Sequence, residues 1–216
     1  MAKWFGSKTD PIGIDVGRSS VKLAQVASAG NQPRLTASAT IEVPEALRNS
    51  STGPLETFRE ALDKALSGNG FRGRRVVIGL PASCVHIDRL RLPPSLDDEQ
   101  TRQAVAWESI DRFPFPAARA MLRHVVAGEV YDNEERRSEV IVMAVRNELT
   151  EALLAAAARA KLDVIGLMPE PQALLGGFAR GGGGGEPART RAVIDVGHGA
   201  TRLYIARGTQ MQFARS

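Results

Sequence analysis

One internal echo constrains this chain more than any other feature. Ile14-Asp15-Val16-Gly17-Arg18-Ser19-Ser20-Val21-Lys22-Leu23 returns 180 positions later as Ile194-Asp195-Val196-Gly197-His198-Gly199-Ala200-Thr201-Arg202-Leu203. Ile, Asp, Val, Gly and Leu are identical, and Lys is matched by Arg. Each copy reads as an apolar strand ending in Asp-Val-Gly, a small polar turn, and a second strand. Glycine lets the backbone bend sharply and lets a ligand approach it. Successive amide N–H groups in such a turn converge on an anion, and the hydroxyls of Ser19, Ser20 and Thr201 add donors. A carboxylate at the strand end, Asp15 or Asp195, suits Mg2+ held through its waters beside phosphate. A lone Asp-x-Gly turn is common in hairpins. It is the pairing of two copies that points to a polyphosphate gripped from both sides.

Around the two copies the pattern alternates between strand and helix. Residues 12–43 read as three strands. Pro54 opens a helix to about Ser67, with Leu55, Phe58, Leu62 and Leu66 on one face. Arg75 to Leu80 reads as a strand buried on both faces. Val85 to Leu92 alternates as a half-buried strand and stops at Pro93-Pro94. Ser95 is the expected N-cap of the next helix, with Asp97, Asp98 and Glu99 in its first turn and an end near Asp111. Strands follow near Ala120–Val130 and Glu139–Val145, around a turn at Asp132-Asn133. A helix at about Glu148–Lys161, a strand at Val164–Met168, a helix from Pro171 to about Phe178, and strands within 191–215 complete the series.

This order predicts an α/β chain with an insertion. Residues 1–83 and 163–180 form the first subdomain and 84–162 an inserted α+β subdomain. Residues 181–190 form a Gly-rich linker, and 191–216 begin a second subdomain that the sequence leaves incomplete.

Composition narrows the function. With 43% hydrophobic and 24% charged residues, the chain has material for a core. The 28 Lys and Arg against 24 Asp and Glu leave only +4, and aromatics are 5%, which argues against a nucleic-acid surface. A single cysteine, Cys84, excludes a disulfide framework and reads as a small buried filler. The opening residues lack the apolar core of a secretory signal, so a cytoplasmic location is expected. Trp4-Phe5 reads as a frayed end rather than a membrane anchor. His86 and His124 read as surface positions, and Trp107 with Phe113 as subdomain core.

These residues resemble a known family. The paired hairpins, with Glu170-Pro171 at a strand-to-helix junction, are similar to the actin-like ATPase superfamily, whose fold is ribonuclease H-like. Within it, several segments resemble the PilM family of type IV pilus assembly proteins. They are Trp4-Phe5-Gly-Ser-Lys before the first hairpin, Leu92-Pro93 through Glu99, Ala104 to Glu108, the Phe113-Pro-Phe-Pro116 turn, and Val142 to Leu149. The likeness runs over essentially the whole chain, and the Pro-Phe-Pro segment is its most family-specific part.

That resemblance implies ATP and Mg2+ as cofactors. Gly17, Arg18, Ser19, Ser20, Lys22, Gly197, His198, Gly199 and Thr201 would lie around the phosphates, and Asp15 and Asp195 near the metal. Glu170 would position water or Mg2+. It also implies a nucleotide-binding scaffold with at most weak ATPase turnover. The partners implied are the cytoplasmic N-terminal tail of a PilN-like inner-membrane protein and other pilus platform components, with the membrane reached only through them. In that family the tail lies in a groove beside the inserted subdomain, which directs attention to the 85–92 strand and the 96–112 helix. His198-Gly199-Ala200 departs from the usual small, acidic or hydroxyl residues. The related type II secretion protein GspL, a sugar kinase or similar phosphotransferase, and an FtsA-type division protein are the alternatives.

Overall fold

A computed structural model describes residues 9–29, 32–50, 53–80, 82–181, 189–198 and 200–215. It resolves into two compact units, one made of the described residues up to 80 with Glu151–Met168, the other of Ala82–Thr150 with the described residues from Pro169 onward. The expected linker and the Trp4-Phe5 end lie largely or wholly outside the described residues.

In the first unit, strands β1 (Ile12–Val16), β2 (Ser20–Ala29) and β3 (Gln32–Glu42) follow one another, then a short helix α1 (Glu45–Arg48) and a longer α2 (Gly53–Gly68), then β4 (Arg75–Leu80). With β8 (Asp163–Pro169) these strands form a five-stranded sheet in the order β3-β2-β1-β4-β8. β1 runs antiparallel to β2 and parallel to β4. Successive side chains alternate across a strand. Ile12, Ile14 and Val16 therefore share one face with Val21, Leu23, Val76 and Ile78, and all of them are buried. α2 lies over β1, β2 and β3 and buries Phe58, Leu62 and Ala65. Burying Phe58 and Leu62 contributes about 2 kcal/mol each. β4 was expected to be buried on both faces. Instead Val76, Ile78 and Leu80 are fully buried and the alternate residues only half-buried, so one face of the strand is the better covered.

In the second unit, β5 (His86–Leu92), β6 (Ala120–Asp132) and β7 (Glu135–Arg146) form an antiparallel sheet in the order β5-β7-β6. Helix α3 (Asp98–Glu108) precedes β6. Asp97, not Ser95, is its N-cap. The Asp97 carboxylate accepts from Gln100 N–H at 2.8 Å, and the Gln100 side chain accepts from Asp97 N–H at 3.0 Å. This reciprocal box satisfies two otherwise orphaned donors. Ser95 instead takes a positive φ of 65° in the turn before it. β6 and β7 join at Asn133 and Glu134, both with positive φ, as a tight hairpin turn requires.

Two layers press on this sheet from opposite sides. On one side α3 and the following segment pack Val105, Leu96 and Phe113 against Leu90, Leu92, Val140 and Val142. On the other, helix α5 (Glu170–Gly181) and the sheet of β9 (Thr190–Val196), β10 (Thr201–Arg207) and β11 (Gln210–Arg215) pack Leu175, Ala206 and Met211 against Ile141, Met143 and Ala127. Gln210 and Gln212 donate to the Val126 and Ala127 carbonyls across this seam. β7 is thus buried on both faces from Val140 to Val145. Helix α4 (Asn147–Arg159) connects the units and buries Leu153, Ala156 and Ala157. No helix among the described residues is long and apolar enough to cross a membrane.

Candidate functional site

The first hairpin is built on β1 and β2. Gly17 N–H donates to the Ser20 carbonyl at 3.0 Å and closes the turn. A Cβ at Gly17 would sit 2.9 Å from that same oxygen, so only glycine fits here undisturbed. Asp15 pairs with Lys22 across the ladder on one side and with Gly79 of β4 on the other. Asp15 and Lys22 share the exposed face of the sheet, and Gly79 leaves bare backbone beside the carboxylate. The Ser19 carbonyl accepts from Val43 N–H at 2.9 Å, fastening the turn to the end of β3. Arg18 is exposed, and its Nε donates to the Arg48 carbonyl at 2.9 Å, which ties it to α1. Ser20 is buried.

The second hairpin copies the backbone of the first. Gly197 N–H donates to the Ala200 carbonyl at 3.0 Å, and Asp195 pairs with Arg202 across the ladder as Asp15 does with Lys22. The side chains, however, are disposed the other way. Ile14 and Val16 are 3% and 1% exposed, whereas Ile194 and Val196 are 67% and 77% exposed. Here Asp195, not the apolar pair, lies on the inward face.

That inward face carries a polar cluster. Arg202 Nη1 stands 3.4 Å from Asp195 Oδ2 and 3.8 Å from Glu170 Oε1. The buried Tyr204 donates from its hydroxyl to Glu170 Oε1 at 3.2 Å. Burial pushes the Glu170 carboxyl above the ordinary carboxylate range, and Asp195 adds to the shift against the pull of Arg202 and Tyr204. Burial and the facing Glu170 carboxylate raise the Tyr204 phenol well above its usual value. Tyr204 carries no echo of the first hairpin, where Ala24 holds the matching position. It was legible only through strand alternation, which sets Arg202, Tyr204 and Ala206 on one face.

The expected residues therefore fall into two groups. Asp15, Gly17, Arg18, Ser19, Ser20 and Lys22 come together in the first unit. Glu170, Asp195, Gly197, His198 and Thr201 come together in the second, with His198 and Thr201 exposed. Gly199 lies outside the described residues. No group of three or more His, Cys, Asp or Glu able to hold a metal is found among the described residues. The first hairpin fits a hydrated Mg2+ beside phosphate, since it offers an exposed carboxylate next to backbone with no side chain. At the second, a guanidinium already spans both acids.

Two other expectations change. Trp107 is not core but 75% exposed on α3, near the exposed Ile110. His86 is no plain surface residue. It meets the Phe115 ring edge-on at 5.0 Å, Arg146 lies over the same ring at 5.2 Å, and burial followed by Arg146 lowers the imidazole pKa. Cys84 is half-buried.

The profile of the type IV pilus assembly protein PilM matches residues 13–216. The chain belongs to that family. Among solved structures it is similar to a chain of the PilM–PilN type IV pilus biogenesis complex, with TM-score 0.76 and 26% identity. The match covers 97% of this chain and 61% of that one, so the present chain spans about three-fifths of its PilM relative. It is also similar to the cytoplasmic domain of EpsL, an inner-membrane component of the type II secretion system of Vibrio cholerae. There the TM-score is 0.55 at 14% identity, over 94% of this chain and 70% of that one. A Bacteroides thetaiotaomicron protein of actin-like ATPase fold and unknown function matches with TM-score 0.52 and 12% identity, over 99% and 72% of the two chains. The fold is that of the actin-like ATPases, as the paired hairpins implied, and the PilM relative is more similar than the secretion protein.

Proposed function

We propose that this PilM-family chain is a nucleotide-binding scaffold of the type IV pilus machinery that captures the cytoplasmic N-terminal tail of a PilN-like inner-membrane protein. The observation that carries this reading is the likeness, over nearly all of the chain, to a protein solved in complex with PilN. The ligand would be ATP with Mg2+. Gly17, Ser19, Ser20 and Lys22 of the first hairpin suit the phosphates and Asp15 the metal, while Gly197, His198, Gly199 and Thr201 offer the second turn to phosphate. When bound, the metal would supply charge neutralisation for the triphosphate. The protein's own part is to hold the turns rigid through the Gly17 and Gly197 bonds. The protein would reach the inner membrane through its partner.

Within the second unit, the surface best suited to a short extended or helical tail is that of β5 and α3. β5 is an edge strand of its sheet, and Trp107 on the neighbouring helix and Ile110 in the turn after it expose apolar area. Such a surface can take a disordered segment that orders on binding. The test is fluorescence anisotropy with a labelled N-terminal peptide of the PilN-like protein from the same genome, with and without Mg2+-ATP. Binding that tightens with nucleotide, and weakens at least five-fold in Trp107→Ala, is expected. Absence of binding under both conditions would refute the scaffold reading.

A further inference from the structure

The two hairpins share a backbone but not a charge environment. Arg202 lies directly across the ladder from Asp195. Its side chain is only 12% exposed, and its Nη1 contacts Asp195 at 3.4 Å and Glu170 at 3.8 Å. The pair lies against the Gly197 turn, where a Cβ would be in ordinary contact with both, 3.6 Å from Arg202 Nη1 and 3.7 Å from Asp195 Oδ2. The Tyr204 hydroxyl donates to the same Glu170 Oε1 that Arg202 faces. In the first hairpin the same two positions hold an exposed Lys22 and an Ala24, and Asp15 is exposed. In the second hairpin the cation beside the aspartate is the protein's own, and it is largely enclosed.

We infer that Arg202 is the resident cation of the second hairpin, and that Asp195 and Glu170, which it bridges, do not take a divalent metal. Mg2+ needs oxygen ligands at about 2.0–2.1 Å in octahedral order and keeps several waters. A guanidinium lodged against both carboxylates, and shielded from solvent, leaves no room for that shell. Arg202 is a positioning residue. It pins β10 to the start of α5 and holds the Asp-Val-Gly turn in shape, and it leaves metal binding to the first hairpin. This replaces the expectation that the two aspartates act alike.

The test needs no nucleotide, so its outcome is separable from that of the ATP reading. Uptake of Mn2+ by the full chain is followed through the EPR signal of the free ion, near neutral pH. Asp195→Asn is expected to bind Mn2+ no more weakly than wild type. Arg202→Met, which frees both carboxylates, is expected to bind at least five-fold more tightly than wild type. The gain should vanish in Arg202→Met/Asp195→Asn and should not appear in Arg202→Lys. The inference is overturned if Asp195→Asn alone weakens Mn2+ uptake, or if a folded Arg202→Met gains none. Should Arg202→Met fail to fold by circular dichroism, the Asp195→Asn and Arg202→Lys arms decide on their own.

Discussion

Gly17→Ala is the substitution whose cost the structure defines most sharply. The new Cβ would stand 2.9 Å from the Ser20 carbonyl oxygen, a backbone atom that cannot swing aside as a side chain can. That oxygen is also the acceptor of the Gly17 N–H at 3.0 Å. Ordinary contact begins at 3.4 Å, so the oxygen must retreat by about half an ångström, which stretches the turn bond past the useful range. Losing the bond costs about 1 kcal/mol. The shift also disturbs Ser20, which pairs with Glu42 on β3, adding about 1 kcal/mol of strain. Alanine returns roughly 0.5 kcal/mol by restricting the unfolded chain. The net is about 1.5 kcal/mol. Gly197→Ala meets its carbonyl at 3.2 Å, so a few tenths of an ångström suffice and the net is about 0.5 kcal/mol or less. Hydrogen exchange read on peptides spanning β1–β2 and β9–β10 measures each loss in its own unit and needs no two-state unfolding of the whole chain. Equal protection losses at the two hairpins, or none at the first, would refute the reasoning.

Three further outcomes follow from local chemistry. Asp97→Ala removes the N-cap and one half of the α3 capping box, and should lower stability by about 1 kcal/mol in urea unfolding of the second unit. His86 is held below its ordinary value of 6.5 by burial and Arg146. The stability it confers is therefore full above that ordinary value and is lost as pH falls below it and through the lowered pKa of the folded state. In His86→Phe the fall in melting temperature between about pH 7 and about pH 5 should flatten. Glu170 is shifted the opposite way, so its contribution is present in acid and fades as pH rises through the raised pKa. The melting temperature of Glu170→Gln, relative to wild type, should accordingly improve from about pH 4 to about pH 8.

Much of the architecture could be read from residue order. The echo, the helix spacing of Phe58 and Leu62, and the punctuation by Pro93-Pro94 and Asp132-Asn133 are local signals, and local geometry obeys them. What escaped depends on what lies against each surface. β7 reads simply as a strand, yet α3 covers one of its faces and the β9–β11 sheet with α5 covers the other, so Val140 and Ile141 are both fully buried. Trp107 follows helical spacing, but the spacing cannot say which stripe the sheet takes, and Thr101 and Val105 occupy it. Ser95 and Asp97 are equally good caps by residue type. The positive φ at Ser95 decides between them, and the Gln100 side chain closes the box only with Asp97. Tyr204 had no partner in the sequence because its partner, Glu170, is distant in the chain.

The same limit explains why two copies of one motif diverge in role. The Asp-Val-Gly turn encodes a backbone path, and both copies follow it with matching 3.0 Å closures. It does not encode which face is covered. Where α2 lies on the apolar face, Ile14 and Val16 sink into the core and Asp15 is left outward, able to meet a hydrated ion. In β9 it is Asp195 that faces inward, toward α5 and the cluster it forms with Glu170 and Tyr204. A carboxylate on that inward face needs a counter-charge of its own, because desolvation without a partner is costly. The basic residue that the echo preserves across the ladder supplies it. As Lys22 that residue is exposed across the ladder from Asp15. As Arg202, it reaches both acids with its planar fork.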